Sequence, residues 1–351
     1  LDGFELTPGV VLYVLLPILI FQAAFQIESR RLLRNVAPIA TLAIPAVLIS
    51  TAVVGGLLYL FGNIPHERAL VAAALFGAMV STTDAVAVVA IFRDLGVPKR
   101  LSMLAEGEAL FNTGTALVLF GIILQILVDP AAASAGTWAL LSSGIADFLW
   151  LGAGGLGFGA AVGLICSWLL APAEDPRVEI TLTTVCAFAS FLGAGYLGVS
   201  DVMAVIGAGL TVGNYGRTKI SPHVIRPLEH YWAYLAFAAN SIVFLLVGLS
   251  LRADELLEYA DAIGVAVVAV LVARAAGIFP LMPLVNRLSE RPVDVPVQTV
   301  MWWGGMRGAL VLVVALSLSQ LDDQVRAAAG GSELSAAWIQ WQALKPYILH
   351  L

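Results

Sequence analysis

Apolar residues run along this chain in blocks of about twenty, the length of helix that crosses a hydrocarbon layer about 30 Å thick. Ten blocks predict ten spans, at about 10–27, 36–61, 68–92, 101–127, 138–171, 179–198, 201–215, 231–250, 262–286 and 296–320. The second is the plainest, because nothing in 36–65 carries a charge. The seventh is short. The fifth is too long for one upright helix, so it is expected to tilt or to extend past the bilayer. The pattern is that of an all-α polytopic membrane protein with about 10–11 spans.

Composition agrees with the pattern. Apolar residues (AVILMFWYC) make up 60% of the 351 residues and charged residues 12%, against roughly 25% charged in an average soluble domain. This excludes a secreted or cytosolic enzyme, a nucleic-acid binder and a disordered regulator. The formal charge of -6 means little until it is sorted by side. Arg30, Arg31, Arg34, Arg93, Lys99, Arg100, Arg177, Arg217, Lys219, Arg226, Arg287 and Arg291 fall on one side of the ten-span arrangement; only Arg68, Arg252 and Arg326 fall on the other. The basic side is therefore expected to be cytoplasmic and the chain to begin outside. Cys166 and Cys186 lie in apolar runs and read as packing residues. There is no signal peptide in view, Leu1 is not a methionine, and the tail after Gln320 is too mixed for a clear span. The chain is accordingly expected to begin inside a longer one.

Charge inside a bilayer is costly, so each buried ionisable residue is a functional candidate. The candidates are Asp84, Glu106, Glu108, Arg274 and Arg307, whereas Asp147 and Asp201 lie near span ends and read as interfacial. Asp84 follows Ser81, Thr82 and Thr83. Hydroxyls beside a carboxylate are hard oxygen ligands for a small cation, and they also satisfy backbone groups freed by a broken helix. Asp84 and Thr83 are thus candidate ligands of a monovalent cation, or Asp84 caps a half-helix or pairs with a distant arginine. Glu106 is expected near the cytoplasmic surface and Glu108 deeper. Asn112 shares the face of Glu108, with Thr113 and Thr115 nearby. Glu108 reads either as an ion ligand or as the partner of Arg274 or Arg307. Three glycines surround Arg307 in Gly304-Gly305-Met306-Arg307-Gly308, which predicts an unwound segment or close helix packing.

Other signals point away from enzymes. Gly152, Gly154 and Gly157 match G-x-G-x-x-G, but inside a span, with Gly155, Gly159 and Gly163 at four-residue spacing; this predicts helix packing, not a nucleotide loop. His66, His223, His230 and His350 are not mid-span, and neither G-x-S-x-G nor a phosphate-binding G-x-x-x-x-G-K-[ST] occurs.

Taken together, Leu16–Ala24 (LPILIFQAA), Ser81–Ala87 (STTDAVA), Leu95–Pro98 (LGVP), Glu106–Ala116 (EGEALFNTGTA), Gly213–Arg217 (GNYGR), Ala239–Gly248 (ANSIVFLLVG) and Trp303–Ala309 (WGGMRGA) resemble the monovalent cation:proton antiporters of the NhaP/NHE type. The resemblance runs from about Leu15 to Ser319. It implies an inverted-repeat fold in which two broken helices cross in a core domain. The Asp84 and Arg307 spans, third and tenth in order, are at an odd offset, as inverted repeats demand. The resemblance also implies one membrane transporter domain over 1–351, with ion-translocating core helices at about 68–127 and 231–320 and interface or scaffold helices elsewhere. It implies that the family's first spans precede Leu1, and that the protein is a homodimer.

By the same resemblance Thr83 and Asp84 match the Thr-Asp motif at the helix break, with Ala85 in place of proline. Glu108 matches a glutamate paired to a later arginine, for which Arg274 is the natural counterpart. Asn112 and Arg307 match the asparagine of N-D and the arginine of W-G-G-x-R-G. Thr113, however, stands where the family has a cation- and proton-binding aspartate, Ala109 replaces a serine, and Gln22 stands where many members have glutamate. The implied activity is exchange of Na+, Li+ or K+ for H+, serving pH homeostasis in a prokaryotic plasma membrane, without cofactor or enzymatic step. The alternatives are a transport-impaired homologue, because Thr113 cannot titrate near neutral pH, and a leak through the same site.

Overall fold

The computed structural model describes residues 11–61, 69–83, 99–128, 137–250, 260–288, 292–305 and 311, and among them every regular element is a helix. A short π-helical turn, Val11–Leu15, leads into α1 (Leu16–Gln26). Then come α2 (Ser29–Arg34), α3 (Val36–Ala43), α4 (Pro45–Phe61), α5 (Ala69–Val80), α6 (Lys99–Val128), α7 (Thr137–Leu170) and α8 (Pro176–Leu197). The series continues with α9 (Asp201–Asn214), α10 (Pro222–Ser250), α11 (Ala260–Ile278), α12 (Met282–Leu288) and α13 (Val295–Trp303). Among the described residues, five stretches, Val36–Phe61, Leu101–Ile126, Ser142–Leu170, Pro176–Leu197 and Ile263–Arg287, are long and apolar enough to cross a bilayer.

Boundaries depart from the hydropathy blocks where local chemistry intervenes. The 36–61 block is interrupted at Ile44, before Pro45, whose missing N–H and ring disfavour a straight helix. The 231–250 block is the apolar end of a longer helix that begins at Pro222, since proline suits a first helical turn. The 262–286 block is interrupted at Phe279–Leu281. Within the 68–92 block α5 ends at Val80, where Ser81 and Thr82 turn their hydroxyls back onto the last turn. Ser81 Oγ donates to the Gly77 carbonyl at 2.6 Å and Thr82 Oγ1 to the Met79 carbonyl at 3.3 Å. These bonds satisfy acceptors that the terminated helix leaves open. Asp175 and Ser200 start α8 and α9 by accepting from Arg177 N–H and Met203 N–H. Gly198, at φ 65°, ends α8 in the left-handed region that glycine adopts without strain.

The chain divides into two compact units. In residues 1–36 and 146–245, α1 and α7 pack on α9 through glycines. A Cβ on Gly159 would run into the Ala204 carbonyl, one on Gly207 into Leu156, and one on Gly213 into Phe25. The residues of the G-x-G-x-x-G match behave differently: Gly152 and Gly157 face open space, and a Cβ on Gly154 would meet only the Val199 side chain, which precedes α9. Packing therefore falls to the four-residue series 155, 159 and 163. Phe21, Phe25, Phe191 and Trp232 fill this unit, with Phe21 and Trp232 rings 4.5 Å apart. In residues 37–145 and 246–351, α4, α5, α6 and α11 share a core of Val54, Leu58, Leu75, Phe76, Phe120, Ala269 and Ala273.

Candidate ion site

The break after α5 lies inside this second unit, and polar side chains gather around it. Ser81, Thr82 and Thr83 are buried, as are Glu108, Asn112, Thr113 and Thr115 on α6. Residues 108, 112 and 115 recur at helical spacing and so form one stripe. Asn112 Nδ2 donates to Thr83 Oγ1 at 3.4 Å, which ties α6 to the unwound end of α5. Because Ser81 already gives its proton to Gly77, the 3.4 Å contact between Thr51 Oγ1 and Ser81 Oγ assigns Thr51 as donor.

One turn before Asn112, Glu108 forms an ion pair with Arg274 of α11. Glu108 is 2% exposed, so each charge depends on the other; removing one partner of a buried pair costs about 3–5 kcal/mol. Arg274 also donates through Nη2 to the Met301 carbonyl at 3.1 Å. That carbonyl belongs to the last turn of α13, where helix acceptors are open and the helix dipole favours a cation. One guanidinium thus joins α6, α11 and α13. Gly305 accounts for the close approach, because a Cβ there would strike Arg274 Nε.

Of the residues singled out from sequence, the structure brings together Glu108 with Arg274 and Thr83 with Asn112. Thr113 is buried beside Asn112 on α6, 3% exposed. Asp84 and Arg307 lie outside the described residues. Asp147 is exposed and Asp201 partly so. Sequence reasoning passed over Ser50 and Thr51, two adjacent hydroxyls in an otherwise apolar helix, which was the signal available. It also passed over Glu179, fully buried, whose Oε2 accepts from Ser221 N–H at 3.2 Å. Placed at the edge of a span, Glu179 was not counted among the intramembrane charges.

Helices long and apolar enough to span, packed with a shorter apolar helix that ends in buried hydroxyls near a buried ion pair, define a multi-pass membrane protein with polar groups in its interior. The transmembrane sodium/hydrogen exchanger family matches residues 3–347. The Na(+)/H(+) antiporter ApNhaP of Aphanothece halophytica is 35% identical over 91% of this chain and 60% of its own length. The Na(+)/H(+) antiporter NhaP of Pseudomonas aeruginosa is 35% identical over 86% of this chain and 71% of its own. Among solved structures, the sodium proton antiporter MjNhaP1 of Methanocaldococcus jannaschii superposes with a TM-score of 0.69 at 18% identity, over 98% of this chain and 83% of that one. The chain therefore belongs to the sodium/hydrogen exchanger family and has the antiporter fold. It is an integral, multi-pass membrane protein, and it spans 60% of the length of the first relative named.

Proposed function

We propose that this chain exchanges Na+, Li+ or K+ for H+ across a membrane by alternating access, binding cation and proton in turn at one carboxylate. The observation that carries the reading is the α5 break: Asn112 holds the Thr83 hydroxyl there, and Asp84 is the next residue in the chain. Relatives that bear the name Na(+)/H(+) antiporter support the direction of the chemistry.

A desolvated carboxylate holds its proton more tightly than a solvated one, and a nearby cation displaces that proton. Glu108 is committed to Arg274, and a threonine hydroxyl at 113 has no proton to exchange near neutral pH. Asp84 is accordingly assigned the coupling role. Thr83 and Thr113 supply neutral oxygens, Asn112 positions the Thr83 hydroxyl, and Arg307 balances charge when no cation is bound. The impaired-homologue alternative gains no support from the relatives.

The unit of residues 37–145 and 246–351 is assigned to ion translocation, and the other to a scaffold that meets a second copy in a homodimer. The basic loops face the cytoplasm of a prokaryotic cell. No cofactor or enzymatic step enters the cycle.

The test is reconstitution into acid-loaded vesicles containing a trapped pH dye. External Na+, Li+ or K+ should drive saturable alkalinisation of the lumen. No cation-dependent change would contradict exchange, and conduction without stoichiometric proton movement would replace it with a leak.

A further inference from the structure

Two buried side-chain atoms of the α5–α6–α11 site have no hydrogen-bond partner among the described residues: Asn112 Oδ1, an acceptor, and Arg274 Nε, a donor. Both residues line one small cavity, together with Ser50 of α4 and Ser81 at the end of α5. The cavity has room for about one water molecule. Its lining selects the guest. A monovalent cation would suit Asn112 Oδ1 but would be repelled by the guanidinium. An anion would reverse the problem, and an apolar group would leave both atoms unpaired. Water alone both donates and accepts, and Asn112, Arg274 and Ser50 in the lining meet the two to four partners that a buried water requires.

We propose that an ordered water occupies this cavity, accepting from Arg274 Nε–H and donating to Asn112 Oδ1. The water is a positioning element. With Oδ1 engaged, the Asn112 amide keeps Nδ2 on Thr83 Oγ1; without it, the amide is free to turn over and present oxygen to Thr83 instead. The water therefore sets the polarity of the hydroxyl next to Asp84 and joins the Glu108–Arg274 pair to the helix break. Only the transport consequence rests on the exchange proposed above.

The experiment is structure determination of the whole chain in lipid nanodiscs, at a resolution that shows ordered waters, for the unmodified protein, Ser50→Ala and Ser50→Val. A density peak within about 2.7–3.2 Å of both Asn112 Oδ1 and Arg274 Nε is expected in the first two. It should vanish in Ser50→Val, whose added methyl fills the cavity. In vesicles, Ser50→Val should raise the cation KM several-fold with a smaller change in maximal rate, and Ser50→Ala, which leaves the cavity open, should raise it less. No peak in the unmodified chain, where other buried waters are resolved, overturns the site, as does a peak that persists in Ser50→Val. Loss of the water with KM unchanged overturns its positioning role. If Ser50→Val does not fold, the unmodified density decides the site. If the unmodified chain exchanges no cation, the functional reading fails while the density still decides the water.

Discussion

At the scale of single residues, the strongest dependence is between Glu108 and Arg274. Their spacing of 166 residues gave no hint of contact; the expectation of a pair came from the cost of leaving either charge unpaired in lipid and from the family resemblance. Glu108→Gln or Arg274→Gln alone should cost about 3–5 kcal/mol of stability, and the double substitution less than the sum. Unfolding of the four proteins in detergent measures this, and additive losses would refute the coupling. Gly305→Ala should also destabilise, by about 1–3 kcal/mol, through overpacking against the guanidinium. The role of Gly305 was illegible in the sequence, where the glycines around Arg307 read equally well as an unwound segment or as helix packing. A close approach to one side chain depends on α11, a helix distant in the chain.

At the scale of helices, hydropathy located the elements of the described residues well because lipid imposes length and apolarity together. It located the ends poorly where proline and hydroxyl chemistry governs them, as at Pro45, Pro222 and Ser81. The small-residue packing of α7 was legible as a series, but which glycines face the partner depends on rotation about the helix axis. Gly159→Val should destabilise by about 1–3 kcal/mol or more, since its added carbons meet the Ala204 backbone. Gly157→Ala faces open space and should be neutral or stabilising, by up to about 1 kcal/mol, because alanine is the better helix former. Melting curves of the two variants in detergent check this, and equal losses would contradict the assigned faces.

For the whole molecule, the distribution of arginine and lysine predicts that the basic segments at 28–35, 93–100 and 217–227 share the cytoplasmic side. Single cysteines at Asn35 and Gly62 should then label from opposite sides of the membrane. Buried Cys166 and Cys186 keep the native background low. Labelling of both from one side would overturn the topology. The family was legible in short polar blocks that interrupt apolar runs, because ion chemistry inside lipid needs uncommon residues at fixed places. The water-sized cavity was not legible, since it forms where four chain segments meet. The central claim is that cation and proton compete for Asp84. Its most direct measurement is proton release from the purified protein when Na+ or Li+ is added in weakly buffered detergent solution. The unmodified chain should release protons saturably, up to about one per bound cation within the pH range where the carboxylate is protonated, and Asp84→Asn should release none. Cation binding without proton release, or release undiminished in Asp84→Asn, would contradict the account.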